Sequence, residues 1–253
     1  MRVSIITVVR NGESTIQDAL DSVLSQKYDN IEYIIVDGGS TDGTVKIIKK
    51  VVKRYPIRSI KFINETDEGI YDAMNKGIRL ATGDIVGILN ADDFYINNNT
   101  ISTVVNTIMT ENVDSVFADL VYVRAADLDK IVRFYKSSTF HPKKMAYGWM
   151  PPHPTFFVKK KIYDHYGLFK TDYRIAADYE IIARFLVKNK VSYSYIPQVL
   201  VKMRTGGLST KNLKSNWILN KEILRACNEN GIKTNLFKIC SKYFTKIFQL
   251  MNK

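Results

Sequence analysis

The sequence is poor in the residues that build metal cages and disulfide frameworks. Its 253 residues include two cysteines, Cys227 and Cys240, and three histidines. The cysteines form no Cys-x-x-Cys pair and the histidines are scattered, so a zinc site of the usual spacing is excluded. So little cysteine also fits a reducing compartment better than a disulfide-stapled fold. Long apolar runs are missing too. The early run Val3–Val9 is flanked by Arg2 and Arg10, and it is too short for a signal segment or a membrane span. No later stretch reaches the roughly 18 apolar residues of a crossing helix. There is no internal repeat and no low-complexity linker. Acid is also in short supply, with 25 Asp+Glu against 37 Lys+Arg and a net charge of +12. That surplus suggests an anionic partner: nucleic acid, a phosphorylated ligand or an acidic membrane surface.

The remaining composition is globular, 45% hydrophobic and 25% charged, and the chain is long enough to bury a substantial core. Its charge is uneven. Residues 206–253 carry nine basic and two acidic residues, a net +7, which leaves +5 for the first 205. Thr205-Gly206-Gly207 marks the boundary between one large domain and a basic appendage.

The N-terminal half alternates short β-branched runs with helical patterns. Val3–Val9 and Ile31–Val36 read as buried parallel strands. Between them, Ser14 and Gln17 are spaced as a capping box, ahead of the stripe Ile16, Ala19, Leu20, Val23 and Leu24. A basic amphipathic helix is expected to about Tyr55, a third strand over Ile60–Ile63, a helix from Tyr71 to about Leu80 and a fourth strand over Ile85–Leu89. This order predicts an α/β, doubly wound sheet, whose ligands bind beyond the carboxyl ends of the strands. The aromatic-rich middle, Ser115 to about Val158, reads as antiparallel strands and loops beside that sheet. A helix is expected over Ala177–Val187.

Acidic residues fall at strand ends. Asp37 closes the second strand, and Asp92 and Asp93 follow the fourth. Adjacent carboxylates there suit a hard cation such as Mg²⁺ or Mn²⁺; equally, they could cap the next turn. Asp37-Gly-Gly-Ser-Thr-Asp-Gly43 allows tight turning but lacks both phosphate-loop spacings.

Taken together these segments resemble a known family. Ser4-Ile-Ile-Thr-Val-Val-Arg-Asn11 is followed by Tyr33-Ile-Ile-Val-Asp-Gly-Gly-Ser-Thr-Asp-Gly-Thr44, Glu65-Thr-Asp-Glu-Gly-Ile-Tyr-Asp-Ala-Met-Asn-Lys-Gly77 and Ala81-Thr-Gly-Asp-Ile-Val-Gly-Ile-Leu-Asn-Ala-Asp-Asp93. In order and spacing they resemble the family 2 glycosyltransferases over roughly residues 1–205. The resemblance implies a GT-A catalytic domain there, with a nucleotide-sugar half to about residue 110, an acceptor half over about 111–205, and 206–253 as a helical tail. It implies inverting transfer from a UDP-sugar with Mn²⁺ or Mg²⁺. Asp37 would bind the nucleotide base, bordered by Val8 and Arg10. Asp67 would lie beside the nucleotide, with Asn75 and Lys76 close by. Asn90-Ala91-Asp92 would occupy the family's Asp-x-Asp position, with Asp92 as metal ligand. Asn90 replaces the first carboxylate there, and Asp93 would compensate as a second ligand.

Asp178, in Ala176-Ala-Asp-Tyr-Glu180, would be the base that removes the acceptor's proton; without the resemblance it reads as a first-turn acid favoured by the helix dipole. Trp149-Met-Pro-Pro-His-Pro-Thr155 is similar to a block of a subgroup that builds bacterial surface polysaccharides. There His153 would face the acceptor or the donor pyrophosphate, or else serve only structure. The subgroup implies a polyprenyl-diphosphate-linked glycan acceptor. No Gln-x-x-Arg-Trp block is present, which favours single addition over processive synthesis. A polyprenyl-phosphate sugar transferase and a nucleotidyltransferase are the alternatives within enzymes.

From Leu236 to Met251 one half of the helical wheel is apolar and aromatic, and Lys238, Lys242 and Lys246 lie opposite. Such a helix fits an anionic membrane interface, engaged through residues 232–253, or a helix docked on the domain. The expected location is cytoplasmic and peripheral, on the inner face of the membrane. A nucleic-acid binder would interleave its basic residues with exposed aromatics; this tail segregates them, so nucleic acid is not the expected partner.

Overall fold

The computed structural model describes residues 1–56, 59–206 and 213–241. In these residues the chain forms β1 (Val3–Val9), α1 (Ile16–Leu24), β2 (Ile31–Asp37), α2 (Thr44–Arg54), β3 (Ser59–Asn64), α3 (Ile70–Leu80) and β4 (Ile85–Ile88). It continues with β5 (Asp93–Tyr95), α4 (Thr100–Thr110), β6 (Ser115–Arg124), β7 (Asp127–Tyr135), β8 (Phe157–Lys159), α5 (Lys160–Tyr166), α6 (Ala177–Ala183), β9 (Tyr193–Arg204), α7 (Leu213–Glu229) and α8 (Leu236–Cys240). One mixed sheet contains all nine described strands, in the order β3-β2-β1-β4-β8-β6-β9-β5, with β7 paired to β6. Strands β1 to β4 are mutually parallel, as the alternation of strand and helix predicts.

The continuous apolar runs of β1 and β2 are explained by cover on both faces. Ile5 and Val9 of β1 enter one core with Tyr33 and Ile35 of β2, under α1, α2 and α4. Ile6 and Val8 enter the other with Ile34 and Val36, under α3, α6 and α7. A period of two splits each strand between the two cores.

Four local expectations change. The capping box does not form: Thr15 is the N-cap of α1 and makes no side-chain cap bond. The Gly12 carbonyl accepts from Thr15 and Ile16 N–H at 3.0 and 2.9 Å, and Gln17 turns forward to Asp21 at 2.8 Å. The middle segment does not lie beside the sheet. Its strand β6 is a sheet member, antiparallel to β7 and β8 and parallel to β9. The helix expected over Ala177–Val187 is α-helical only to Ala183, and Arg184–Lys188 widen into a π-turn. There the Arg184 carbonyl accepts from the Asn189 N–H and from its side-chain amide, at 3.0 and 2.8 Å.

Finally, the described part of the C-terminal segment is docked. Ile223, Ala226, Cys227, Ile232 and Ile239 are buried in the same core as Tyr179 and Ile182 of α6. Asn235 caps α8 by accepting from the Lys238 N–H at 2.9 Å. The amphipathic helix expected to Met251 is seen as α8 to Cys240; residues 242–253 lie outside the described residues. Among the described residues no helix is long and apolar enough to cross a membrane.

Candidate active site

Parallel pairing brings the loops at the carboxyl ends of β1 to β4 side by side. The register sets Val9 beside Asp37 and Asp37 beside Asn64. On the other flank of β1, Leu89 N–H donates to the Ile6 carbonyl at 2.9 Å.

The loop after β2 is folded by its own polar side chains. Asp37 has no exposed surface; its two oxygens accept from the Ser40 N–H and hydroxyl at 2.9 and 2.5 Å. The loop after β1 braces it. Arg10 is exposed there, and Val8 lies just inside the core. Asn11, at φ 54°, donates its N–H to Ser40 Oγ at 2.7 Å and accepts from the Thr41 N–H at 2.8 Å. Neither Asn11 nor Ser40 was singled out from the sequence; an Asn directly after a buried strand was the available signal, because Asn tolerates positive φ.

Asp67 reaches the same wall from the loop after β3. Its carboxylate packs onto Gly38 so closely that a Cβ on Gly38 would lie 2.0 Å from Asp67 Oδ2. Gly38 is therefore required for close approach. Asp67 is half-buried and accepts from the Gly69 N–H at 3.0 Å. Lys76 pairs with Glu65 and Asp72 at 3.1 and 3.2 Å. Asn75 is committed elsewhere: it is buried, and its amide exchanges bonds with the Phe169 backbone at 2.8 and 2.9 Å. It ties α3 to the loop before α6.

Asn90, Ala91 and Asp92 follow β4. A Cβ on Gly12 would stand 3.7 Å from the Ala91 Cβ, so this loop touches the one after β1. Asp92 is half-buried, and its carbonyl accepts from Arg204 Nη1 at 2.7 Å. Arg204 Nη2 also pairs with Asp18 of α1. This nearly buried arginine ends β9 and clamps the Asp92 loop. The sequence offered only a lone Arg closing an apolar strand.

Asp93 departs from the expected ligand role. It has no exposed surface, it pairs with Met203 in the sheet, and its Oδ2 accepts from the Asn90 amide at 3.3 Å. Burial, then the neighbouring Asp92 charge, holds its carboxyl well above the usual carboxylate range. Its Oδ1 is buried without a hydrogen-bond partner, and no exposed surface opens this carboxyl to a cation arriving from solvent. Among the described residues no group of three His, Cys, Asp or Glu could cage a metal. A Mg²⁺ or Mn²⁺ that keeps waters and takes diphosphate oxygens needs only one or two protein carboxylates. Asp92 supplies one, so the donor set fits such an ion and not an all-protein cage.

Asp178 lies in the first turn of α6 and is half-buried. Burial pushes its carboxyl up to about 6, the Glu222 charge adds to that, and the Tyr179 N–H, donating at 2.8 Å, opposes it. Tyr71 of α3 and Tyr135 of β7 both feel its charge, which places it where these elements meet. A carboxylate that ionises near neutrality is suited to take a proton. His153 is buried edge-on against Phe169, with ring centroids 5.7 Å apart. Burial lowers its imidazole to about 4, so it is neutral at physiological pH.

Sequence comparison decides what this arrangement is. The family model described as Glycosyl transferase family 2 matches residues 4–167. The chain belongs to this family. A PGL/p-HBAD biosynthesis glycosyltransferase of Mycobacterium bovis (strain BCG / Pasteur 1173P2) is 29% identical over 224 residues, covering 88% of this chain and 82% of the relative. Among solved structures, S. aureus TarS 1-349 in complex with UDP-GlcNAc superposes with TM-score 0.68 at 18% identity, over 92% of this chain and 68% of that one. The mannosyltransferase PcManGT from Pyrobaculum calidifontis, in complex with GDP-Man and Mn2+, gives TM-score 0.67 at 20% identity, over 94% and 67%. These likenesses establish the GT-A fold. The protein is a family 2 glycosyltransferase.

Proposed function

We propose that this glycosyltransferase moves one sugar from a UDP-sugar to a hydroxyl of a glycan acceptor with inversion at the anomeric carbon. The observation that carries the reading is Asp178: one carboxyl, half-buried, ionising near pH 6. The nucleotide base lies at the wall formed by Val8, Arg10, Asp37 and Asp67. Ser40 takes one lone pair on each Asp37 oxygen, which leaves others for the ring N–H of the base once the Gly38–Ser40 turn opens. Lys76 stands at the outer margin of this wall. Asp92, held by Arg204, meets the diphosphate. When bound, Mn²⁺ or Mg²⁺ neutralises charge developing on the leaving diphosphate.

Asp178 takes the acceptor hydroxyl's proton as that oxygen bonds to the anomeric carbon, and the bond from this carbon to the diphosphate breaks, releasing UDP. A base on one face and the leaving group on the other require inversion. A polyprenyl-phosphate acceptor is already anionic and needs no such base, so the ionisation of Asp178 favours a hydroxyl acceptor over that alternative.

The acceptor we propose is a polyprenyl-diphosphate-linked saccharide of bacterial surface polysaccharide synthesis, met at the inner face of the cytoplasmic membrane. Phe237 is 89% exposed beside Lys238, with Lys233 also exposed, and the sequence that follows adds Lys242, Lys246 and Lys253; exposed aromatic and basic groups together suit an anionic surface. The test is a panel of UDP-sugars with Mn²⁺ or Mg²⁺, scored for UDP release with and without lipid-linked acceptor. Acceptor-dependent release with one sugar is expected; no release with any UDP-sugar overturns the donor assignment. Deletion of residues 242–253 is expected to release the protein from anionic liposomes, and unchanged co-sedimentation removes the membrane role.

A further inference from the structure

Residues 168–176 form the approach to α6, and the helix that secures them is α7. Glu222, Arg225 and Glu229 recur at spacings of three and four and share one face. Arg225 Nη2 pairs with Asp172, and its guanidinium lies 4.3 Å from the Tyr173 ring centroid. Glu229 Oε2 accepts from Lys170 Nζ at 2.7 Å and from the Tyr173 hydroxyl at 2.8 Å.

Glu222 makes the contacts nearest the reacting groups. Its Oε1 accepts from the Arg174 N–H at 2.8 Å, and its Oε2 accepts from the Ile175 and Ala176 N–H groups, both at 2.9 Å. These three donors precede and open α6, where backbone N–H groups have no helical acceptor of their own. From the opposite side, the Tyr71 hydroxyl donates to the Ile175 carbonyl at 2.5 Å. The segment two residues ahead of Asp178 is thus held at both its donors and its acceptor. The same segment walls a cleft of about 270 Å³ between residues 171–174 and the start of α3 at Gly69–Asp72.

We propose that Glu222 is a positioning residue for proton abstraction: by gathering the N–H groups of 174–176 it fixes the start of α6, and with it the direction and charge environment of the Asp178 carboxylate. This rests on Asp178 being the base. It makes the C-terminal segment a working part of the active site and not only an anchor. A carboxylate is needed because three donors meet two oxygens; a glutamine offers one accepting oxygen and turns an amide donor on the remaining N–H. The titratable groups facing Asp178 are Tyr71 from α3, Tyr135 from β7 and Glu222 from α7. Of these, Glu222 is the one carboxyl group; the other two are phenols.

The test uses full-length Glu222→Gln and Glu222→Asp. Asp178 is titrated by carboxyl-carbon NMR, and kcat and donor KM are measured across pH. In Glu222→Gln the Asp178 titration and the acidic limb of kcat are expected to move to lower pH. We expect kcat to fall about tenfold or more, as small misplacements of reacting groups do, with donor KM within about twofold. A folded Glu222→Gln with wild-type kcat and an unmoved Asp178 titration overturns the proposal. If Glu222→Gln does not fold, Glu222→Asp carries the test: its shorter stem keeps the charge and withdraws from the N–H groups, so kcat is expected to fall with donor KM unchanged, and wild-type kinetics overturn the proposal. The titration needs no turnover. An Asp178→Asn variant that keeps full transfer activity would remove Asp178 as the base while leaving the Glu222–Asp178 coupling measurable.

Discussion

The donor wall and the acceptor side of the site are assembled over different chain distances. Asp37 is closed by Ser40, three residues on, and Asn11 reaches Thr41 across 30 residues. On the acceptor side, Asn75 holds Phe169 across 94 residues, Tyr71 holds Ile175 across 104, and Glu222 returns 46 residues to Ala176. A wall made by neighbouring loops of one strand–helix unit needs only the sheet to form. A wall made by α3, α6, α7 and β7 needs the whole molecule, so small changes far from the chemistry reach it. Donor binding is expected to be local and robust; proton abstraction is expected to be the step that tertiary packing controls.

Mutations should separate along that line. The largest effect is expected for Asp178→Asn, a fall in kcat of about 10²–10⁴-fold with donor KM nearly unchanged, since a general base contributes about that much. Transfer at near the wild-type rate would remove Asp178 from the role. Next, wild-type kcat/KM should rise through an apparent pKa of about 6, because only the ionised carboxylate accepts a proton. Below that pH the loss approaches tenfold per unit, and a profile flat from pH 5 to 8 contradicts it. Because the folded pKa is raised, ionising Asp178 also costs stability as pH climbs from its ordinary 3.8 toward 6.

Arg204→Ala tests a donor-side contact that is long-range, across 112 residues to Asp92. It should cost about 2 kcal/mol, as loss of a hydrogen bond from a charged group does, and raise donor KM more than it lowers kcat. The opposite split would put Arg204 on the acceptor side. Smallest is Glu32→Gln, at the end of the sheet away from the site. There Glu32 is fully buried against Lys61, Ser4 and Thr82. Burial would raise its carboxyl, but the hydrogen bonds from Lys61, Ser4 and Thr82 outweigh that and lower it from 4.5 to about 2. Its contribution is therefore present above about pH 4.5 and lost as pH falls toward 2. The variant should lower Tm by about 2–4 °C near neutrality and by less in acid, as thermal melts across pH would show.

The same difference in range explains what the sequence reveals. β1 to β4 and their helices follow from periodicity, because β1, β2 and β4 are buried on both faces, β3 is a short apolar run at the sheet edge, and each helix shows one stripe. Asp37, Asp92 and Asp178 stand out in the sequence because they sit in contiguous blocks. The roles of Asp93 and Asn75 could not be read. Nothing local distinguishes a carboxylate facing the cleft from one that β9 covers, or an amide facing a nucleotide from one spent on Phe169. Arg204 and Glu222 were invisible for the same reason: their partners lie 112 and 46 residues away. The middle segment misled because β8, three residues long, and the parallel insertion of β9 join it to the main sheet.

The clamp from Arg204 to Asp92 also bears on how the protein is made. A chain leaves the ribosome N-terminus first, at about 5–20 residues per second. The strands that carry Asp37 and Asp92 are therefore available well before β9 supplies Arg204, and α7 emerges later still with Glu222. Until β9 and α7 have emerged, the Asp92 loop is untied and the start of α6 is unsecured. Glycosyl transfer is expected only once Arg204 and Glu222 have both joined the fold.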